Sequence, residues 1–332
     1  MKGLSQPVHP SDYGLKNFII QDKKLGKISF HVDTINLHQK APLFVDINGS
    51  GGMPLCLYME STGYSSVMNT FNPAVMNHTK EKYHYFILDK PGTNFCDTID
   101  IQGSIDSIDY SAIFENYKVS DEYTKRLSLN WRVEATMKVI SYLIKNKYWD
   151  KTDIVAQGYS EGGQVVPLLA QKDTRITHVV PIVGSGLNQF YDFILDYRIK
   201  ARNGEITHEA AQDSILVAYE VFRDVYADPL STSKSFSGHS YLRWSSFCGS
   251  PPIEALTKLT IPIYMIVGTA DTNSPIYGLD YVPLEFMRLG KTNLTYDPCI
   301  GCDHGLMSMD GSDPQFHLEE YLDKVLAWVE RN

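Results

Sequence analysis

The sequence predicts an α/β protein: a mostly parallel central sheet flanked by helices, with a helical insertion between two of its strands. Three observations predict it. Short apolar runs recur at residues 42–47, 83–88, 154–156, 176–183 and 261–267. Several end in glycine-rich turns, as buried strands that feed a tight loop do. Stretches of helical period lie between them, and that alternation calls for a parallel sheet covered on both faces.

The elements follow in chain order. Residues 15–22 and 27–33 alternate polar and apolar around Lys23-Lys24-Leu25-Gly26, which reads as a β-hairpin. The run at 42–47 is a buried strand that stops at Asn48-Gly49-Ser50-Gly51-Gly52. The run at 83–88 stops at Asp89-Lys90-Pro91-Gly92, and residues 93–121 show no clean period and read as a long loop. From about Tyr123 to Lys147, Leu127, Trp131, Ala135, Val139, Tyr142 and Leu143 recur at helical steps, predicting one long helix. The strand at 154–156 leads into Gly158-Tyr159-Ser160-Glu161-Gly162-Gly163 and a helix near 165–170. Strands at 176–183, 261–267 and 293–296 follow, and an amphipathic helix at 315–330, with Phe316, Tyr321, Val325 and Trp328 near one face, closes the chain.

One stretch breaks the alternation. Residues 187–256 hold helical patterns at 190–201 and 208–226 and a serine-rich segment, without a convincing strand. The expected organisation is therefore a core of 1–186 and 257–332, with 187–256 as a helical cap or lid.

Composition narrows the function. A net charge of −9 repels phosphate backbones, and no basic stripe interleaved with aromatics is present, so nucleic acid is not an expected partner. No apolar run reaches the roughly 18–20 residues of a membrane span. Residues 1–7 lack the apolar stretch of a secretory signal, and a chain trimmed of its leader would look the same, so cytoplasmic and secreted locations both stay open. Oligomeric state is not indicated. Five sparse cysteines argue against a disulfide framework. Cys299-Ile-Gly-Cys302 is a CxxC, but no second ligand pair stands at zinc-site spacing, and the motif comes too late for a thioredoxin-like active site. Local packing or an incidental disulfide is the expectation there, and no metal is expected.

The chemistry centres on Gly158-Tyr159-Ser160-Glu161-Gly162, a G-x-S-x-G pattern between a strand and a helix. In that context the serine sits on a sharp turn with its hydroxyl exposed at the carboxyl end of the sheet. The flanking glycines allow strand and helix to approach closely. A hydroxyl becomes nucleophilic when a base takes its proton. Among ten histidines, His304 fits, in a loop after the last strand and before the last helix; His317 lies within the final helix and His239 in the insertion. The imidazole needs a carboxylate to fix its tautomer. Asp271, after the strand at 261–267, is the first choice, with Asp280, Asp297 and Asp303 as alternatives. A developing oxyanion needs fixed donors. The Glu161 amide is one, helped by the helix dipole. The loop after the strand at 42–47 supplies the other, with Ser50 as first choice and Gly51 as second. A dinucleotide reading of that loop fails because the third glycine is out of place.

Taken together, the Asn48–Gly52 loop, Asp89-Lys90-Pro91-Gly92, the Gly158–Gly163 turn, Gly268-Thr269-Ala270-Asp271 and Asp303-His304-Gly305 resemble the successive landmarks of the α/β-hydrolase superfamily, in the right order. The resemblance implies an α/β-hydrolase fold, catalytic roles for Ser160, Asp271 and His304, and the Glu161 amide as an oxyanion donor. Asn48 departs from the pattern, standing where many members have the histidine of a His-Gly pair. The implied reaction is acyl transfer through an acyl-enzyme on a small-molecule acyl substrate, with no cofactor. Carboxylic ester hydrolysis is the first expectation. A peptidase of prolyl-oligopeptidase or aminopeptidase type, a thioesterase or acyltransferase, and a non-catalytic binding module are the alternatives. Phe190, Tyr191 and Trp244 in the insertion are candidates for an apolar substrate pocket, with simple packing as the competing reading.

Overall fold

The structure is a computed structural model and describes residues 7–35, 37–68, 71–100, 113, 117–310 and 312–332. Eight strands form the main sheet: β1 (Leu15–Asp22), β2 (Gly26–Asp33), β3 (Ala41–Ile47), β6 (His84–Leu88), β8 (Trp149–Tyr159), β9 (His178–Ile182), β12 (Ile263–Gly268) and β13 (Leu294–Cys299). Their spatial order is β1-β2-β6-β3-β8-β9-β12-β13. β1 and β2 pair as an antiparallel hairpin and β2 runs antiparallel to β6, while every pairing from β6 to β13 is parallel. A parallel sheet has two apolar faces, and both are covered here. One carries α3 (Leu129–Lys145), α4 (Glu161–Lys172) and α10 (Tyr281–Arg288), whose Val133, Val166 and Phe286 join Leu43, Ile154 and Met265. The other carries α1 (Pro73–Thr79) and α11 (Leu318–Val329), whose Val75, Tyr321 and Val325 join Phe44, Val155 and Ile266.

The register sets up the site. Ile47 pairs with Gly158, Tyr159 with Ile182, Ile182 with Ile266, and Gly268 with Cys299. The carboxyl ends of β3, β8, β9, β12 and β13 therefore finish along one edge, and the loops that leave them meet there. In parallel α/β sheets ligands bind at that edge.

Between β9 and β12 lie α5 (Gln189–Arg202), α6 (His208–Ala227), a two-residue hairpin of β10 (Ser235–Phe236) and β11 (His239–Ser240), α7 (Tyr241–Cys248) and α8 (Pro252–Leu256). Phe190, Phe222, Val225, Tyr241 and Trp244 give this segment a small core of its own.

Several expectations are corrected. The long helix read across 123–147 is two helices, α2 (Asp121–Arg126) and α3. Leu127 leaves the helical region, and the Ser128 hydroxyl accepts from the Trp131 amide to cap α3. The final helix starts at Leu318, so Phe316 ends the hairpin of β14 (Met307–Asp310) and β15 (Asp313–Phe316) and is exposed rather than on an apolar helix face. His317 sits at the N-cap of that helix. The stretch 93–121 contains β7 (Cys96–Ile99), which joins β4 (Cys56–Met59) and β5 (Tyr64–Val67) in a three-stranded sheet; the rest of the expected loop at 101–112 and 114–116 lies outside the described residues. The serine-rich segment forms the short β10–β11 hairpin and α7. Helices α1, α9 (Ile276–Leu279) and α10 were not anticipated; they are short, and too few residues repeat to set a period.

Among the described residues, no helix is long and apolar enough to cross a membrane.

Candidate active site

Ser160 stands between β8 and α4 with φ 54° and ψ −116°. That left-handed backbone is costly for a residue with a side chain, and it is held by the surroundings: the Ser160 amide donates to Ile182 O at 2.8 Å, and Ser160 O accepts from Gly163 N at 2.9 Å. The turn also needs glycine on both flanks. A Cβ on Gly158 would lie 2.1 Å from Gly162 O, and one on Gly162 would lie 1.9 Å from Ile47 O.

His304 and Asp271 come to the same point from the loops after β13 and β12. The His304 Nε2 is 2.9 Å from Ser160 Oγ, and its Nδ1 is 2.8 Å from Asp271 Oδ2. A carboxylate can only accept, so Nδ1 carries the hydrogen and Nε2 presents its lone pair to the hydroxyl. Asp271 is fully buried at its side chain, while the imidazole is 26% exposed. The other Asp271 oxygen accepts from the amides of Asn273 at 2.7 Å and Ser274 at 2.9 Å, so the carboxylate is locked in place. An alcohol, an imidazole and a carboxylate in line can move a proton from the hydroxyl to the ring.

The alternative carboxylates are engaged elsewhere. Asp280 accepts from Tyr296 OH, Asp297 from Tyr264 OH, and Asp303 from the amides of Gly305 and Met307. The His304 loop is further braced by Tyr159, whose hydroxyl donates to His304 O at 2.5 Å. Sequence reasoning did not assign Tyr159 a part, although its place beside Ser160 was a signal.

The loop after β3 lies against the serine through Gly49. A Cβ there would be 3.4 Å from Ser160 Cβ and 3.9 Å from its Oγ. Ser50 follows and is exposed; Gly51 adopts φ 88°.

Beneath this loop lies a buried ion cluster that sequence reasoning missed. The Glu161 carboxylate accepts from Arg132 Nη1 at 2.7 Å and from Arg243 Nη2 at 2.7 Å and Nε at 3.0 Å. All three side chains are at least 95% buried. Burial raises the Glu161 pKa, but Arg243 and Arg132 outweigh it and bring it to about 2. Lys90 is buried beside them and donates to Gly51 O at 2.5 Å; burial, with Arg132 adding to it, pushes its pKa well down. Burial and Arg243 bring the pKa of His239, also nearby, to about 4. Apart from His239 and Arg243, the residues are far apart in sequence, and no local pattern links the acid to its bases.

Phe190 and Trp244 are buried in the insertion's own cluster. The Phe190 ring stacks on Phe222 at 4.0 Å and on Trp244 at 5.6 Å. That packing accounts for both rings, while Tyr191 is exposed. A cavity of about 120 Å³ instead lies between α2 and the insertion, lined by Val119, Tyr123, Leu127, His239, Ser240 and Arg243 among others.

Cys299 and Cys302 form a disulfide that joins the end of β13 to the loop carrying His304. The His317 ring nitrogen lies within 4.8 Å of both sulfurs. Metals bind thiolates, and a disulfide has none to offer.

No family model matches the sequence, and no curated protein matches it at the sequence level. Solved structures do. The acylaminoacyl peptidase of Pyrococcus horikoshii is similar over 96% of this chain, at 14% identity and a TM-score of 0.58; this chain spans only 41% of that one. Est1E of Butyrivibrio proteoclasticus is similar over 95% of this chain and 98% of its own, at 15% identity and a TM-score of 0.53. The α/β hydrolase GrgF of a Penicillium species is similar over 96% of this chain and 98% of its own, at 12% identity and a TM-score of 0.55. With its parallel sheet, its antiparallel leading hairpin and its strand-to-helix turn at Ser160, this chain has the α/β-hydrolase fold.

Proposed function

We propose that this protein is a serine hydrolase that cleaves carboxylic esters through an acyl-enzyme. The observation that carries the reading is the hydrogen-bonded line from Asp271 through His304 to Ser160. In this mechanism His304 takes the proton of Ser160 as Oγ attacks the ester carbonyl. The oxyanion is met by the backbone amides of Glu161 and of the loop after β3, Ser50 first and Gly51 second. His304 then gives the proton to the leaving alcohol. Water, activated by the same imidazole, attacks the acyl-enzyme, frees the acid and returns the proton to Ser160. The chemistry calls for no cofactor or metal. Residues 187–256 act as a cap over the site.

A peptidase is the second reading, favoured by the likeness to an acylaminoacyl peptidase, of which this chain spans less than half. A fluorophosphonate probe tests the common ground: a hydrolase is labelled at Ser160 and nowhere else, and an unlabelled protein would be a hydrolase-fold binding module. A panel of p-nitrophenyl esters run beside aminoacyl and prolyl anilides separates the two enzymes. Turnover of anilides alone would overturn the ester reading.

A further inference from the structure

We propose that Arg132 is a positioning residue that ties the two halves of the oxyanion site together; this rests on the hydrolase reading above. The two proposed donors come from different parts of the chain. One is the amide of Glu161 at the start of α4, and the other is an amide of the loop after β3. A single guanidinium spans both segments. Arg132 Nη1 donates to Glu161 Oε1 at 2.7 Å and to Gly49 O at 3.4 Å. Its Nη2 donates to Asn48 O at 2.7 Å and to Asn48 Oδ1 at 2.5 Å. Arg132, Asn48 and Glu161 are all nearly inaccessible to water.

These contacts fix the direction of the loop amides. In a trans peptide unit the carbonyl and the next N–H point to opposite sides of the chain. Turning Gly49 O toward Arg132 therefore turns the Ser50 N–H away from it. Turning Asn48 O inward does the same for the Gly49 N–H, and Lys90 holds the next part of the loop through Gly51 O. Donors held before reaction are what stabilise an oxyanion, since they need not reorient as charge develops.

The same contacts give Asn48 a purpose. Where many α/β hydrolases have the histidine of a His-Gly pair, this chain has a short side chain whose carbonyl oxygen accepts from Arg132. The planar, forked guanidinium can meet four oxygens on two segments; the single ammonium of lysine cannot span them with that geometry. The anchor of this loop is thus an Asn48–Arg132 pair.

The test uses the full chain, p-nitrophenyl acetate and an aryl trifluoromethyl ketone, which forms a hemiketal oxyanion on the serine. Arg132→Lys keeps the charge and loses the fork. It is expected to lower kcat by about 10–100-fold, a part of what loss of a whole oxyanion donor costs, with KM within about twofold and ketone affinity falling in step with kcat. Asn48→Ala removes one acceptor and buries no new charge, so it serves if the lysine variant does not fold; it is expected to lower kcat several-fold with the same parallel loss of ketone affinity. Wild-type kcat and ketone affinity in folded Asn48→Ala or Arg132→Lys would overturn the proposal. So would a fall in melting temperature or a rise in KM with kcat and ketone affinity intact, the mark of a merely structural ion pair. Failure of the unaltered chain to be labelled at Ser160 by a fluorophosphonate would overturn the hydrolase reading itself, and this proposal with it.

Discussion

At the residue scale, the proposed chemistry rests on groups that touch one another. Ser160→Ala removes the proposed nucleophile and only its part-buried hydrogen bond to His304, so ester hydrolysis should vanish while the melting temperature stays within a degree or two; retained turnover would remove Ser160 from the mechanism. Asp271→Asn keeps the shape but changes the acceptor opposite Nδ1, which favours the wrong tautomer of His304. By analogy with other triads the rate should fall by about 10⁴-fold, measured as kcat on p-nitrophenyl acetate. A tenfold effect or less would point to a different orienting group. Asp46 lines the same small cavity as Asn48, Lys90 and Arg132. It is buried in β3, and desolvation raises its pKa from 3.8 to about 6 against the opposing hydrogen bonds from Tyr85 and Gln157. An acid whose folded value is raised is penalised in its charged form. The penalty is absent below the unfolded value of 3.8, grows as pH rises towards about 6, and is constant above that. Asp46→Asn escapes it. The melting-temperature advantage of the variant over wild type should therefore widen between pH 4 and pH 6 and then level off; an advantage that shrinks as pH rises would contradict the burial argument.

At the scale of elements, the strand-to-helix turn depends on backbone contact. Gly162 faces Ile47 O so closely that a methyl group would lie 1.9 Å away, and the neighbour is backbone rather than a side chain that could swing aside. Gly162→Ala should therefore push α4 off β3 and lose soluble, folded protein or well over 2 kcal/mol of stability, in the range of severe overpacking. A fully stable variant would mean that the turn is looser than these contacts imply. Helix α3 offers a milder test. Ser128 caps it at the break after Leu127, and Ser128→Ala should cost about 1 kcal/mol in chemical unfolding. The cap also shows why one helix became two. The apolar steps from Leu127 to Leu143 begin at the break itself, and periodicity alone does not register a change in backbone direction. A capping serine three residues ahead of Trp131 was the local clue.

At the scale of the whole molecule, Arg243 reaches from the insertion to a carboxylate in the core. It also stacks on Trp244 and Phe247, with its guanidinium carbon 4.2 and 4.5 Å from their ring centres. Removing one partner of a buried ion pair leaves charge without compensation, which typically costs about 3–5 kcal/mol. Arg243→Met should lose an amount near the lower end, because Arg132 still meets Glu161, and the loss should appear in the unfolding midpoint. The sign with pH follows from Glu161, whose ordinary value of 4.5 is brought to about 2. The stabilisation it contributes is complete above the ordinary value and is lost as pH falls towards about 2. A variant as stable as wild type at pH 7 would show that the insertion is held by its apolar contacts alone.

The sheet and the turn at Ser160 were legible because they are written locally. Buried parallel strands need continuous apolar runs, and a strained serine between a strand and a helix needs small neighbours, so both leave a signature within ten residues. Chain order did the rest for Asp271 and His304, since loops that leave the same edge of a parallel sheet must meet. The ion cluster could not be read this way. Lys90, Arg132, Glu161, His239 and Arg243 lie on separate elements, and a buried charge is indistinguishable in sequence from a solvated one. The aromatic residues of the insertion stayed ambiguous for a related reason: Phe190 and Trp244 have the composition of a pocket as well as of a core, and only packing decides whether a ring faces a cavity or another ring. By itself, then, the sequence determined which segments become the strands of the main sheet and which turn carries the serine, because backbone propensity and burial act over short distances. The tertiary structure alone decided which charges share a dry site, and so how the loop beside Ser160 is held, because that depends on the company each side chain keeps across the fold.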